Sequence, residues 1–193
     1  MQRLCVFCGS SRGADPAYAE AARQLGAALA EADIGLVYGG AAVGLMGILA
    51  DACMEAGGTV TGVIPEALIR KEVGHAGLSD LRIVGSMHER KALMAELSDG
   101  FVALPGGIGT LEEIFEVWTW AQLSDHEKPC ALLNVNGFYD GLSGFLDHVV
   151  AQGFLRPLHR DMLIVADEPG ALLLALEAYR APAAVKWIEE SEY

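Results

Sequence analysis

The sequence predicts a single doubly wound α/β domain, a parallel sheet of about seven strands with helices on both faces. Two observations carry this. Short apolar runs alternate with longer amphipathic stretches from one end of the chain to the other, the order of a parallel sheet with right-handed helical crossovers. Three of those runs also end in glycine-rich segments that lead into helical stretches, the arrangement of strand exits that meet a ligand. A length of 193 residues suits one domain with one well-filled core.

Taken in order, 4–7 reads as the first strand, ending in Cys8-Gly9-Ser10-Ser11-Arg12-Gly13, and 16–30 as the first helix. The second strand, 35–38, exits through Gly39-Gly40-Ala41-Ala42-Val43 into a helix over 44–56. Strands over 59–64 and 81–84 follow, then a helix over 88–97, whose start carries Ser86 and Glu89 in capping-box spacing. The fifth strand, 101–104, exits through Pro105-Gly106-Gly107-Ile108-Gly109-Thr110 into a helix over 111–123. A sixth strand over 131–135, a helix over 139–152, a seventh strand over 163–165 and a helix over 169–179 complete the pattern. The domain spans 1–180; residues 181–193 turn acidic and read as a loosely docked tail.

Bulk properties narrow the function. Hydrophobic residues make up 52% of the chain, yet no apolar run is long enough to cross a bilayer. Residues 1–8 lack the features of a signal peptide, so a cytoplasmic location and no membrane partner are expected. The formal charge of −13 argues against a nucleic-acid groove, which needs a basic stripe. A small anion could still be held by backbone N–H groups and a few cations. Cys5-Val6-Phe7-Cys8 matches C-x-x-C formally, but Cys5 falls inside a strand and no second pair completes a zinc site. With Cys53 and Cys130 these read as buried, reduced thiols, and the five histidines show no ligand spacing, so neither metal nor cofactor is inferred.

Glycine lets backbone N–H groups approach a ligand, and the following helix offers its unpaired N–H groups to an anion. Three such exits in one small domain point to a phosphate or nucleotide pocket built from Gly9, Ser10, Gly39, Gly40, Gly106, Gly107 and Gly109. The P-loop signature is absent. Gly107-Ile108-Gly109 begins like a dinucleotide fingerprint, but Glu112 occupies the third glycine's place, where it would repel a pyrophosphate. A single phosphate fits better.

Thr110-Leu111-Glu112-Glu113 admits a capping box, with Thr110 as N-cap and Glu113 returning to its N–H. That leaves two carboxylates beside an anion-binding loop unexplained, unless the site needs a base or a negative charge beside a developing sugar cation. Arg90 and Lys91 pose the converse question, since cations near a helix start oppose its dipole. They are either a solvated surface pair or the local cations that an acidic protein needs near a phosphate. The helix over 111–123 carries Ile114, Phe115, Val117, Trp118, Trp120, Ala121 and Leu123, more than one apolar face. A homodimer that covers the outer face is expected.

Pro105 to Glu113 match P-G-G-x-G-T-x-x-E at every fixed position, and Met87, Arg90 and Lys91 match M-x-x-R-K. In these elements the chain resembles the LOG ("Lonely guy") family of cytokinin riboside 5′-monophosphate phosphoribohydrolases, from the first strand to about Val165. The resemblance implies a Rossmann-like fold and a dimer with active sites near its seam. It implies that Arg90 and Glu113 are the catalytic pair. Substrate contacts would include Met87, Arg90, Lys91, Gly106, Gly107, Gly109, Thr110 and Glu112, with Glu72 and Thr119 as weaker carry-overs. The implied reaction is hydrolysis of the N-glycosidic bond of an N6-modified adenosine 5′-monophosphate to free base and ribose 5-phosphate, without cofactor. Such sequences have also been labelled lysine decarboxylases. That chemistry needs a Schiff-base lysine for pyridoxal phosphate, and none of Lys71, Lys91, Lys128 and Lys186 has a suggestive context. The alternatives are general AMP hydrolysis, a nucleotide carrier without catalysis, and, against the charge, a single-stranded DNA binder.

Overall fold

The computed structural model describes residues 1–69, 74–78 and 80–182. They form one seven-stranded parallel sheet, in the order β4-β3-β2-β1-β5-β6-β7, with helices on both faces: a Rossmann-like α/β fold, as the sequence predicts. The strands are β1 (Arg3–Phe7), β2 (Gly35–Tyr38), β3 (Val60–Pro65), β4 (Asp80–Val84), β5 (Gly100–Ala103), β6 (Cys130–Leu133) and β7 (Leu163–Ala166). Every residue of β2, β5 and β6 is buried, because helices cover both sides of a central strand and leave no place for a polar face. Edge strand β4 is half-exposed, and its Arg82 Nε donates to Asp80 Oδ2 at 2.5 Å. Such charges on an edge discourage pairing with another chain.

The helices are α1 (Pro16–Glu31), α2 (Gly44–Glu55), α3 (Glu66–Ile69), α4 (Met87–Glu96), α5 (Ile108–Gln122), α6 (Asp140–Ala151), α7 (Pro157–Asp161) and α8 (Pro169–Ala178). One core, with Leu25, Leu29, Leu45, Leu49 and Leu172, fills the face under α1, α2 and α8. A second, with Phe7, Phe101, Met94, Ile114, Trp118 and Leu132, fills the face under α4, α5 and α6. Asp15 caps α1 by accepting from Ala17 N at 2.9 Å, with Pro16 at the first helical position.

Three short elements escape the sequence pattern: α3, α7 and a 3-10 turn at Val135–Gly137. Each is too short to show a period. The sixth strand stops at Leu133, because Asn134 takes up a turn: its Oδ1 accepts from Tyr139 N at 2.7 Å and its Nδ2 donates to Asp140 and Asp167. The larger correction concerns Thr110. The N-cap of α5 is Gly107, so the helix starts at Ile108 and the capping box between Thr110 and Glu113 does not form. Propensity misplaces this start because glycine makes a poor helix interior, whereas here it serves at the terminus. The acidic tail lies, from 183 on, outside the described residues, as does Glu72.

Candidate active site

The strand order reverses between β1 and β5, which opens a crevice beyond their carboxyl ends. Three loops converge there and are tied by their backbones. Gly9 N donates to Pro105 O at 3.2 Å, and Leu45 N, in the first turn of α2, donates to Gly9 O at 3.0 Å. Tyr139, fully buried, donates its hydroxyl to Leu104 O at 2.6 Å and so holds the last carbonyl before the Pro105-Gly106-Gly107 loop. Burial pushes that phenol's pKa up, which keeps it a donor.

A cavity of about 280 Å³ opens at this junction. Gly9 and Ser10 form one wall, Gly107, Ile108, Gly109 and Thr110 another, and Gly39, Met46 and Met94 a third; Arg90 and Glu113 both face it. The N-cap of α5 provides no side-chain hydrogen bond, so the helix presents uncapped N–H groups to the cavity. Nothing lies within 4 Å of where a Cβ would stand on Gly107 or Gly109, which leaves that helix end open to a ligand. Gly106 has the opposite setting: a Cβ there would meet Thr110 Oγ1 at 2.2 Å. Its hydrogen is what lets the loop close over the first turn of α5.

Arg90 is 7% exposed, so the surface-pair alternative is ruled out. Ser86 caps α4, accepting from Glu89 N at 3.1 Å, and Glu89 Oε2 accepts from Gly85 N at 2.7 Å. Half of the expected capping box forms, since the Glu89 return bond goes to Gly85 N and not to the N-cap Ser86 N, and the Ser86 cap starts α4 so that Arg90 lies on the face that looks into the cavity. Its Nη2 donates to Gly39 O at 3.3 Å and its Nη1 meets Met87 Sδ at 3.7 Å. Its Nε is buried without a hydrogen-bond partner. A buried, unfilled guanidinium donor is costly unless a ligand completes it. Gly39 permits this seat, since a Cβ on it would fall 2.1 Å from Arg90 Nη2.

Beneath the cavity, burial pushes the Cys5 and Cys8 thiols well above their ordinary pKa; Glu113 adds to the rise and Arg90 opposes it. Both charges are thus felt at the same buried floor. Among the described residues all four cysteines are free and buried, and none of them forms part of a metal-binding cluster.

The structure therefore brings together Gly9, Ser10, Gly39, Arg90, Gly107, Gly109, Thr110 and Glu113, with Gly106 behind the loop. Other expected contacts stand apart. Gly40 backs onto Ile64 and Leu81, and Met87 is exposed at the start of α4 and reaches Arg90 only through its sulfur. Thr119 is exposed six residues beyond Glu113 and donates to Phe115 O at 2.7 Å. Lys91 and Glu112 pair with each other outside the cavity. Sequence reasoning missed Met46, Met94 and Tyr139, because an apolar residue in a helix or turn carries no mark that separates a pocket wall from core.

The chain is similar to known proteins along most of its length. A family model described as "Possible lysine decarboxylase" matches residues 46–176. A probable cytokinin riboside 5′-monophosphate phosphoribohydrolase of Oryza sativa subsp. japonica is 53% identical over 92% of this chain and 78% of its own. Phosphoribohydrolases of the same name from Arabidopsis thaliana and Rhodococcoides fascians are 49% and 48% identical, over 92% and 91% of this chain and 82% and 89% of theirs. Among solved structures, the molybdenum cofactor carrier protein of Chlamydomonas reinhardtii has a TM-score of 0.70 at 21% identity, over 91% of this chain and 96% of its own. The molybdenum cofactor binding protein of Rippkaea orientalis has 0.69 at 20%, over 92% and 97%. At that identity the likeness is one of fold. With a family model over residues 46–176 and relatives near 50% identity along most of its length, the chain belongs to the LOG family.

Proposed function

We propose that this protein hydrolyses the N-glycosidic bond of an N6-modified adenosine 5′-monophosphate, releasing the free base and ribose 5-phosphate. The relatives bear the name of that activity, and one observation carries it to these residues: Arg90 and Glu113 face one cavity that the open N-terminus of α5 also enters. The 5′-phosphate sits on the N–H groups of Gly107 to Thr110, where the helix dipole favours an anion. Anchored there, the ribose presents its anomeric carbon to Glu113, one turn further along α5. As the bond from C1′ to the base nitrogen breaks, its electron pair leaves with the base and positive charge builds on the sugar. The Glu113 carboxylate stabilises that charge and takes a proton from the water whose oxygen bonds to C1′; that proton returns to solvent, and a solvent proton goes to the nitrogen of the departing base. Arg90, whose side chain lines the same cavity, holds a substrate oxygen.

Decarboxylation has less support. Lys91 is bound to two carboxylates and Lys128 Nζ donates to Ala95 O at 2.7 Å, so neither projects into the cavity as a Schiff-base lysine must. Lys71 and Lys186 lie outside the described residues.

The working form is a homodimer. Phe115 and Trp120 on α5 pack against the core yet stay half-buried, and Phe145 on α6 is 60% exposed, a surface that a second copy would cover. Light scattering after gel filtration should give twice the chain mass. The four reduced, buried thiols suit the cytoplasm, and among the described residues no helix is long and apolar enough to cross a membrane.

The deciding experiment is incubation with AMP and with isopentenyladenosine monophosphate, followed by assay of free base and ribose 5-phosphate. Faster release from the modified nucleotide is expected, and none from the riboside without phosphate. Recovery of both nucleotides intact would leave a carrier instead of an enzyme. Equal rates on both would make it a general AMP hydrolase.

A further inference from the structure

Arg90 and Lys91 are consecutive on α4, and Glu112 and Glu113 are consecutive on α5. Adjacent helical residues point about 100° apart, so each pair splits between two directions. Arg90 and Glu113 turn to the cavity. Lys91 turns to α5, where its Nζ lies 2.5 Å from Glu112 Oε1 and 2.9 Å from Glu116 Oε2. The two carboxylates are one helical turn apart: Glu112 accepts a hydrogen bond from the ammonium, and Glu116 Oε2, buried and without a hydrogen bond, meets it as an ion pair. The Lys91 side chain is 9% exposed, against 26% for Glu116 and 52% for Glu112, so the cation is the enclosed member of the trio. Burial works to lower its pKa, but the two carboxylates outweigh that and the group stays charged. None of the three lines the cavity.

We infer that Lys91 is a positioning residue: with Glu112 and Glu116 it clasps α4 to the first turns of α5 and so fixes Arg90 relative to Glu113. This rests on the hydrolase reading above and departs from a direct role for Lys91 on the phosphate. Removing the ammonium leaves two carboxylates of like charge facing α4, one of them largely enclosed, and α5 must shift to relieve them. The register between neighbouring residues passes any such shift to Arg90 and Glu113. A misplacement of about 1 Å at a reacting group is worth on the order of 100-fold in rate.

The test is steady-state kinetics on isopentenyladenosine monophosphate for the wild type, Lys91→Met, Glu112→Gln/Glu116→Gln, the triple variant and Lys91→Arg, with folding followed by thermal unfolding. Lys91→Met should lose about 10- to 100-fold in kcat with KM nearly unchanged. The double carboxylate variant should lose a similar factor and the triple variant no more than either, since one clasp is broken in every case. Lys91→Arg, which keeps both ion pairs, should recover part of the rate. If Lys91→Met does not fold, the double carboxylate variant and Lys91→Arg carry the same comparison. A raised KM at unchanged kcat for Lys91→Met, with wild-type kinetics for the carboxylate variant, would make Lys91 a phosphate contact and overturn the inference. Losses that multiply in the triple variant would overturn it too. A wild type that releases no base overturns the hydrolase reading itself, an outcome distinct from these.

Discussion

Gly39→Ala is the most incisive single perturbation of this site. The added methyl carbon would stand 2.1 Å from Arg90 Nη2, 3.3 Å from Arg90 Cζ and 3.1 Å from Met46 Sδ. Ordinary van der Waals contact begins at 3.4 Å, so the guanidinium must move by about 1.3 Å, the gap between the two distances. The backbone at 39 does not use a left-handed conformation, and the obstructed atoms are the far ends of two flexible side chains. The fold should therefore survive, with a loss of about 1–3 kcal/mol, while the arginine that faces the cavity is displaced. A shift of that size predicts a fall in kcat on the order of 100-fold, or about 2.7 kcal/mol of transition-state stabilisation. The assay is base release from isopentenyladenosine monophosphate, run beside thermal unfolding of the same preparations. A variant that unfolds like the wild type and turns over within threefold of it would refute the assignment of Arg90 to the reaction.

Gly106→Ala puts a methyl 2.2 Å from Thr110 Oγ1 and 3.0 Å from Gly9 N, a backbone atom that cannot step aside. It should cost about 1–3 kcal/mol and lower Tm by several degrees, and an unchanged Tm would mean that the loop is looser than described. Tyr38→Phe should be neutral or raise stability by up to about 1 kcal/mol, because the Tyr38 hydroxyl is buried without a hydrogen-bond partner. A clear loss in urea denaturation would reveal a buried water there. Acid should weaken the fold through His126 and His159, whose pKa values are both held down, chiefly by burial. His126 Nε2 lies 2.9 Å from Val117 O while its Nδ1 accepts from Lys128 N at 3.1 Å, which requires the neutral ring. The unfolded chain then binds the extra protons, so this stability is complete above the unfolded value of about 6.5 and is lost as pH falls through the lower folded values. A urea midpoint that stays level from about pH 7.5 to 5 would contradict this.

Much of this molecule was legible in one dimension. Local chemistry alone fixes the alternation of apolar runs with amphipathic stretches, the Ser86 cap with its Glu89 return, and the three glycine-rich exits, because each depends on residues within a few positions of one another. The start of α5 is not legible for the same reason: propensity sees Gly107 and Gly109 as obstacles, whereas packing of Gly106 over Thr110 begins the helix at Ile108.

The sequence also determined which residues carry charge near the hallmark, but not how they divide the work. Arg90 and Lys91 look alike in sequence, as do Glu112 and Glu113, and only the placement of α4 beside α5 sends one of each pair into the cavity and the other into an ion-pair cluster. The walls supplied by Met46 and Met94, and the Tyr139 hydroxyl on Leu104 O, were likewise decided by long-range packing. The physical reason is the same throughout. Periodicity and caps are properties of neighbours along the chain, whereas the direction a side chain faces across a sheet's crevice depends on helices joined through dozens of intervening residues, and no local energy encodes it.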